Sequence, residues 1–355
     1  MPFVATAIAS AIAPSIVAID LAKNVCQLHF IGADGKPVNR RITRAKLLPF
    51  FTNRAHSLVA MEACGGAHYW ARQLMALGHE VRLLPAGQVK SFVLRDKTDA
   101  KDAHAIYVAC QQSYIKSVPV KTEQQQAWLT LHTRRERYKA TRTAYGNAVR
   151  GSLQEFGVVL PEGFERLRRD LSDALALAGE AGVPQEVIEG AQRDMQLIAH
   201  VQQEMDDIER KLASIAAHDQ HMRAIMQIPG IGVLTATALV ANVPDVGRFA
   251  SARQFVSWLG LAPAQTGTGG KTRQLGLSKR GNKYLRYLLM HCARSLALRP
   301  ARSRWLVELL KRRPKNVAVA ALAAKLARTV WAVLARGVPF DASKWNPCEG
   351  TAAAA

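Results

Sequence analysis

The sequence predicts an α/β domain at the N-terminus, a long helical connector and a basic, mostly α-helical domain at the C-terminus. Three observations predict it. Between residues 15 and 111, short β-branched runs alternate with helical patterns. Residues 123–156 and 185–217 are long helical stretches with few breakers. Residues 271–336 carry 17 Lys or Arg against one acid, Glu308, a net +16 of the whole chain's +21. With 355 residues, 49% of them hydrophobic, the chain has room for two or three domains with real cores.

Taken in order, residues 1–14 are apolar and uncharged but lack the basic start of a secretory signal, and Pro14 ends the run short of a membrane span. They read as a flexible segment before the first strand. Ser15–Asp20 and Val25–Gly32 are strand-like, Asp34-Gly35 is a hairpin turn signal, and Pro37–Thr43 is a third strand. Arg44–His56 suits a helix, Ser57–Glu62 a buried strand, His68–Leu77 a helix closed by Gly78, and Glu80–Leu84 a fifth strand. Helical pattern returns at Gln88–Leu94 and from Asp99 to Gln111. Three strands joined by short turns, followed by helix–strand crossovers, is the ribonuclease-H-like order, and this domain is expected over 15–118.

The connector is expected over 119–222. Pro161 and Gly163 interrupt it, and Ile198, Val201, Met205, Ile208, Leu212 and Ile215 form a short a/d seam for coiled-coil packing, within the chain or with a second copy. The C-terminal domain is expected over 223–346, with a tail at 347–355. It opens on Ile228-Pro229-Gly230-Ile231-Gly232 before an apolar helix, which resembles half of a helix–hairpin–helix. A short helix at 253–260, a Gly/Thr-rich loop at Pro263–Gly276 and three basic helices (Ser278–Leu298, Ala301–Arg312, Asn316–Arg336) follow.

The charge balance points to a polyanionic partner, most simply nucleic acid, and away from small-molecule metabolism. Five scattered cysteines without CxxC spacing exclude a zinc finger or a disulfide framework and suit a reduced, cytoplasmic compartment.

Asp20 and Glu62 end two strands that are parallel neighbours in this order, so both carboxylates emerge at one sheet edge. Asp99 and Asp102, at i and i+3, share one face at a helix start. Converging acids need a cation, and hard oxygen ligands suit Mg²⁺ or Mn²⁺, which can assist phosphodiester chemistry. Gly267–Thr272 superficially resembles a P-loop, but Gln265 stands where the motif needs Gly, and no strand is expected to lead in because Pro263 interrupts. What remains is two hydroxyls, Thr266 and Thr268, beside cations. The basic residues Lys271, Arg273, Lys279, Arg280, Lys283, Arg286, Arg312 and Arg313 are candidate phosphate contacts, with Tyr284, Tyr287, Trp305 and Trp331 interleaved as candidate stacking groups.

These residues resemble the DEDD transposases of bacterial insertion sequences, RNA-guided recombinases with a RuvC-like N-terminal domain and a C-terminal transposase domain. The resemblance spans roughly residues 15–346. It rests on Val17–Lys23, Met61–Gly65, Lys97–Ala103, Ile228–Gly232, Phe255–Leu261 with Pro263, Leu277–Asn282 and Gly337–Asp341. It implies that Asp20, Glu62, Asp99 and Asp102 are the D, E, D, D metal ligands and catalytic acids. It also implies a hydroxyl nucleophile that links covalently to DNA. The family has serine there, whereas this chain has Thr268, with Thr266 the alternative. The implied partners are donor and target DNA, a structured non-coding guide RNA and further copies of the chain in a dimer or tetramer, with no membrane. The acids of one protomer are expected to meet the Thr268 loop of another. A junction-resolving nuclease that uses only the carboxylate site is the competing reading.

Overall fold

A computed structural model describes residues 14–93, 98–300 and 303–342. The segment 1–14, apart from Pro14, and the tail 347–355 lie outside the described residues, as do Lys97 and the expected helix start at Ala301. The chain forms two compact units, Met1–Glu123 and Gln124–Ala355.

In the first unit, β1 (Ser15–Leu21), β2 (Val25–Ile31), β3 (Pro37–Thr43), β4 (Ser57–Glu62) and β5 (Glu80–Leu84) form a sheet in the order β3-β2-β1-β4-β5. β1–β2 and β2–β3 are antiparallel, while β1–β4 and β4–β5 are parallel. This mixed five-stranded sheet is compatible with the ribonuclease-H-like expectation. The central strands are apolar on both faces because both are covered. Val17, Ile19, Leu28, Val59 and Met61 pack on one side with α1 (Leu47–Thr52) and α2 (Ala67–Ala76) through Leu47, Phe51, Trp70 and Leu74. Ala18, Ala60 and Leu84 pack on the other side with α4 (Asp99–Cys110) through Ala105, Ile106 and Ala109. Two helices are shorter than expected. Arg44–Lys46 is a 3-10 turn and α1 ends at Thr52, while α3 (Ala86–Val89) gives way to another 3-10 turn at Lys90–Phe92.

In the second unit, α5 (Glu123–Gln154) and α7 (Gln185–His218) match the two long stretches. Between them lies α6 (Phe164–Glu180), a helix not anticipated from the sequence, whose Leu167, Leu171 and Leu175 pack with Val149, Leu153 and Ile188. The a/d seam is consumed within the chain: Val201, Met205, Ile208 and Leu212 are all buried in the single copy. α7 runs antiparallel to α5, tied by Arg135 Nε donating to Glu209 Oε1 (2.7 Å), by Arg134–Glu204 (3.3 Å) and by Arg142 donating to Gln202. The seam therefore offers little surface to a second copy.

The rest of the unit is a helical core of α8 (Gln220–Met226), α9 (Val233–Asn242), α10 (Ala252–Trp258), α11 (Lys283–Ala297), α12 (Arg304–Arg312) and α13 (Lys315–Arg336). Gly230 has φ +84, and a Cβ there would sit 2.8 Å from Leu296 Cδ1, so close packing demands this glycine. Among the described residues α13 is the one helix long and apolar enough to cross a membrane. Its Val319, Leu322, Leu326 and Val330 are instead buried in this core.

The expected loop at Pro263–Gly276 is a hairpin. β6 (Pro263–Thr268) and β7 (Lys271–Leu277) pair antiparallel around Gly269-Gly270, both at positive φ, as a tight two-residue turn requires. Ser278 does not cap the next helix. Asn282 does, its side chain accepting from Leu285 N at 3.0 Å.

Candidate active site

Parallel pairing places Ile19 beside Met61, so Asp20 and Glu62 lie one step further along adjacent strands. Because strand side chains alternate, both point to the face that carries Ala18 and Ala60, the side covered by α4. Asp20, Glu62 and Asp102 of α4 line one cavity of about 720 Å³, together with Leu21, Cys64, Ala86, Gly87, Val89, Lys90 and Val93. All three acids are half-buried.

Asp99 is not among the lining residues. It is exposed, one helical turn before Asp102. Nor does it cap its helix: Thr98 Oγ1 accepts from Lys101 N at 3.4 Å.

Electrostatics tie the acids together. The Cys64 thiol is held above its ordinary value by burial, then by the negative fields of Glu62 and Asp20, with Arg44 opposing. Burial also raises Cys26, with Arg44 opposing and Asp20 adding. Arg44 fixes the turn after Asp20, donating Nη1 to Ala22 O (3.0 Å) and Lys23 O (3.3 Å) while its guanidinium lies 5.3 Å from the Trp70 ring centroid. Neither Arg44 nor Lys90 is singled out by the sequence. The usable signal for Lys90 was its place just past β5, at the edge where the acids emerge.

The donor set is all carboxylate, which fits a hard divalent cation rather than zinc. Among the described residues, no three His, Cys, Asp or Glu side chains are gathered closely enough to share one ion. The acids thus face a common cavity without forming a closed ligand shell.

In the second unit, Thr268 pairs with Lys271 and Thr266 with Arg273. Cross-strand partners share a face, so each hydroxyl stands beside a cation on the exposed hairpin. The hairpin's base is rigid. Ser278 N donates to Ala262 O (2.9 Å) and Lys279 N to Gly260 O (3.2 Å), holding Lys279 at φ 54, the only positive-φ non-glycine among the described residues. At Gly281 (φ +102) a Cβ would lie 1.8 Å from Trp258 O.

Of the predicted phosphate contacts, Lys271, Arg273, Lys279, Arg280, Lys283, Arg312 and Arg313 are exposed. Arg286 differs: it is half-buried and donates Nη1 to Leu259 O at 3.1 Å, clamping the 259–260 turn. Trp305 and Trp331 are core-packed rather than offered to bases. Trp331 Nε1 donates to Phe249 O (3.2 Å), and Lys325 lies 4.7 Å from the Trp305 ring centroid.

Residues 17–158 match a transposase family model of DEDD, IS110 type, and residues 222–307 match that of the transposase IS116/IS110/IS902 family. The first match contains all four acids and the second contains Thr268. A probable family 20 transposase of Pseudomonas aeruginosa is 41% identical over 91% of this chain and 97% of its own length. Transposases for the insertion sequence elements IS1328 of Yersinia enterocolitica and IS1111A of Coxiella burnetii are 35% and 36% identical, over 92% and 90% of this chain and 98% and 90% of their own lengths. Family models on both halves and end-to-end similarity lead to one conclusion: the chain belongs to the IS116/IS110/IS902 family of insertion-sequence transposases.

Proposed function

We propose that the chain cuts and rejoins DNA by metal-assisted phosphoryl transfer with a covalent threonine–DNA intermediate. The observation that carries this reading is the convergence of Asp20, Glu62 and Asp102 on one cavity. These three face one cavity and would be drawn together on binding a divalent cation, Mg²⁺ or Mn²⁺, with Asp99 one turn away. When bound, the cation supplies Lewis-acid stabilisation of charge on the phosphoryl oxygens.

The chain's own residues would do the rest. Thr268 Oγ1, with Thr266 as the alternative, attacks the phosphorus. An Oγ–P bond forms, a P–O bond to one deoxyribose breaks, and the hydroxyl proton is lost as the leaving oxygen gains one. Lys271 and Arg273, on the same hairpin face, orient the phosphate and balance its charge. Reversal with a new deoxyribose hydroxyl rejoins strands and frees the threonine.

Sequence choice is assigned to a structured guide RNA by base pairing, which asks the protein only to hold backbone and shape. The +16 segment supports such cargo. Action as a homo-oligomer in the cytoplasm completes the reading. The experiment is denaturing-gel trapping of labelled donor DNA on the protein. A metal-dependent adduct supports transposition, whereas cleavage without any adduct favours the junction-resolving nuclease.

A further inference from the structure

A second cavity of about 720 Å³ lies within the helical unit, between α5 and α11. One wall is Tyr284 and Tyr287, a turn apart, with ring centroids 6.4 Å apart and planes 18° from parallel. The facing wall of α5 offers Ala140, Thr143, Ala144 and Asn147, none large enough to close the gap.

Both rings are held. Tyr284 Oη bonds His132 Nδ1 (3.0 Å), whose Nε2 meets Thr237 Oγ1 (3.0 Å). Thr237 already donates to Val233 O (2.7 Å), so Nε2 carries the imidazole proton and Tyr284 donates to Nδ1. Tyr287 Oη accepts from Lys139 Nζ. Lys139 and Lys283 stand at the cavity against one acid, Glu136.

We propose that this cavity receives one unpaired nucleotide of a bound strand. The base packs between the tyrosine wall and α5, with its phosphate at Lys139 and Lys283. Three features favour this occupant. A mostly apolar, open cavity walled by two hydrogen-bonded aromatic rings suits a base, which stacks on such rings whatever its identity. Two lysines complement the phosphate. Bases in a duplex are occupied by their neighbours, so only a splayed nucleotide can enter between two helices. A protein helix is the weaker fit, because lysine is depleted in protein–protein interface cores.

This inference rests on the reading of the chain as a nucleic-acid enzyme, and its test separates the two. Full-length protein is titrated with a short single-stranded RNA, the same sequence as DNA, and the corresponding DNA duplex. Tyr287→Ala is expected to weaken single-strand binding about tenfold and leave duplex binding unchanged. Ala144→Leu, which fills the slot from the opposite wall, is expected to do the same, while Tyr287→Phe retains binding. Loss confined to RNA assigns the slot to the RNA strand, and loss confined to DNA to an unpaired DNA strand. Equal loss for single strand and duplex, or no loss in either variant, overturns the proposal. So does an oligomer that dissociates on Tyr287→Ala while single-strand affinity holds, which would make the slot a protein interface. Failure of the unmodified protein to bind any of the three probes would overturn the underlying reading as well.

Discussion

Asp20 and Glu62 stand one register step beyond the Ile19–Met61 pair on adjacent parallel strands, and both line the cavity that Asp102 enters from α4. Asp99, though on the same helix, does not reach it. This ranks the four acids. Asp102→Asn should weaken Mn²⁺ binding by at least about tenfold, and Asp99→Asn by less. Calorimetric titration with Mn²⁺ checks the order, and the reverse order would mean that Asp99, not Asp102, is the residue that α4 presents to the ion.

The turn pair at the hairpin's base makes a stability prediction. Gly281→Ala forces a Cβ against Trp258 O from a backbone conformation that disfavours side chains. A loss of about 3 kcal/mol or more is expected in chemical denaturation. Gly276→Ala, with open space around it, should be near neutral.

His132 makes the second unit acid-sensitive. Burial, then the charge of Arg135, holds its pKa down to about 4 from an ordinary 6.5. Between those values the unfolded chain binds the extra proton, so stability falls as pH drops from about 6.5 to about 4. The full effect is on the order of 3 kcal/mol. Unfolding midpoints at pH 7 and pH 4.5 check it: His132→Phe should flatten this dependence even if it lowers stability at pH 7.

The cations divide into two groups. Neutralising exposed Lys271 and Arg273 together should reduce the salt slope of DNA binding by about 2, since each phosphate contact releases about 0.9 counterions. Arg286→Gln should instead lower thermal stability with little change in slope, because its guanidinium is engaged by Leu259 O. Binding isotherms at several salt concentrations separate the two.

The five strands were legible because β-branched runs ended at strong turn signals such as Asp34-Gly35 and because both faces of β1 and β4 are apolar. The positions of Asp20 and Glu62 followed from that order alone. The hairpin of Thr266 and Thr268 was not legible: its strands are exposed on both faces, so no apolar alternation marks them, and Gly269-Gly270 invited a loop reading. α6 was hidden behind Pro161 and Gly163, although Leu167, Leu171 and Leu175 repeat every four residues. Trp305 and Trp331 looked like base-stacking groups because sequence spacing does not show which helix face the core takes. Lys90 belongs to the cavity only through the path of the chain after β5.

The proposed phosphoryl transfer needs both the carboxylate cavity and the threonine hairpin. Peptide mapping of any protein–DNA adduct formed on labelled donor DNA, with RNA transcribed from the sequence flanking the coding region and in Mg²⁺ or Mn²⁺, tests this. The expected result is an adduct on Thr268, or on Thr266, that disappears with chelator and falls at least about 100-fold in Asp20→Asn, Glu62→Gln and Asp102→Asn. An adduct on a residue outside the hairpin, or full adduct yield in Asp102→Asn, would contradict it.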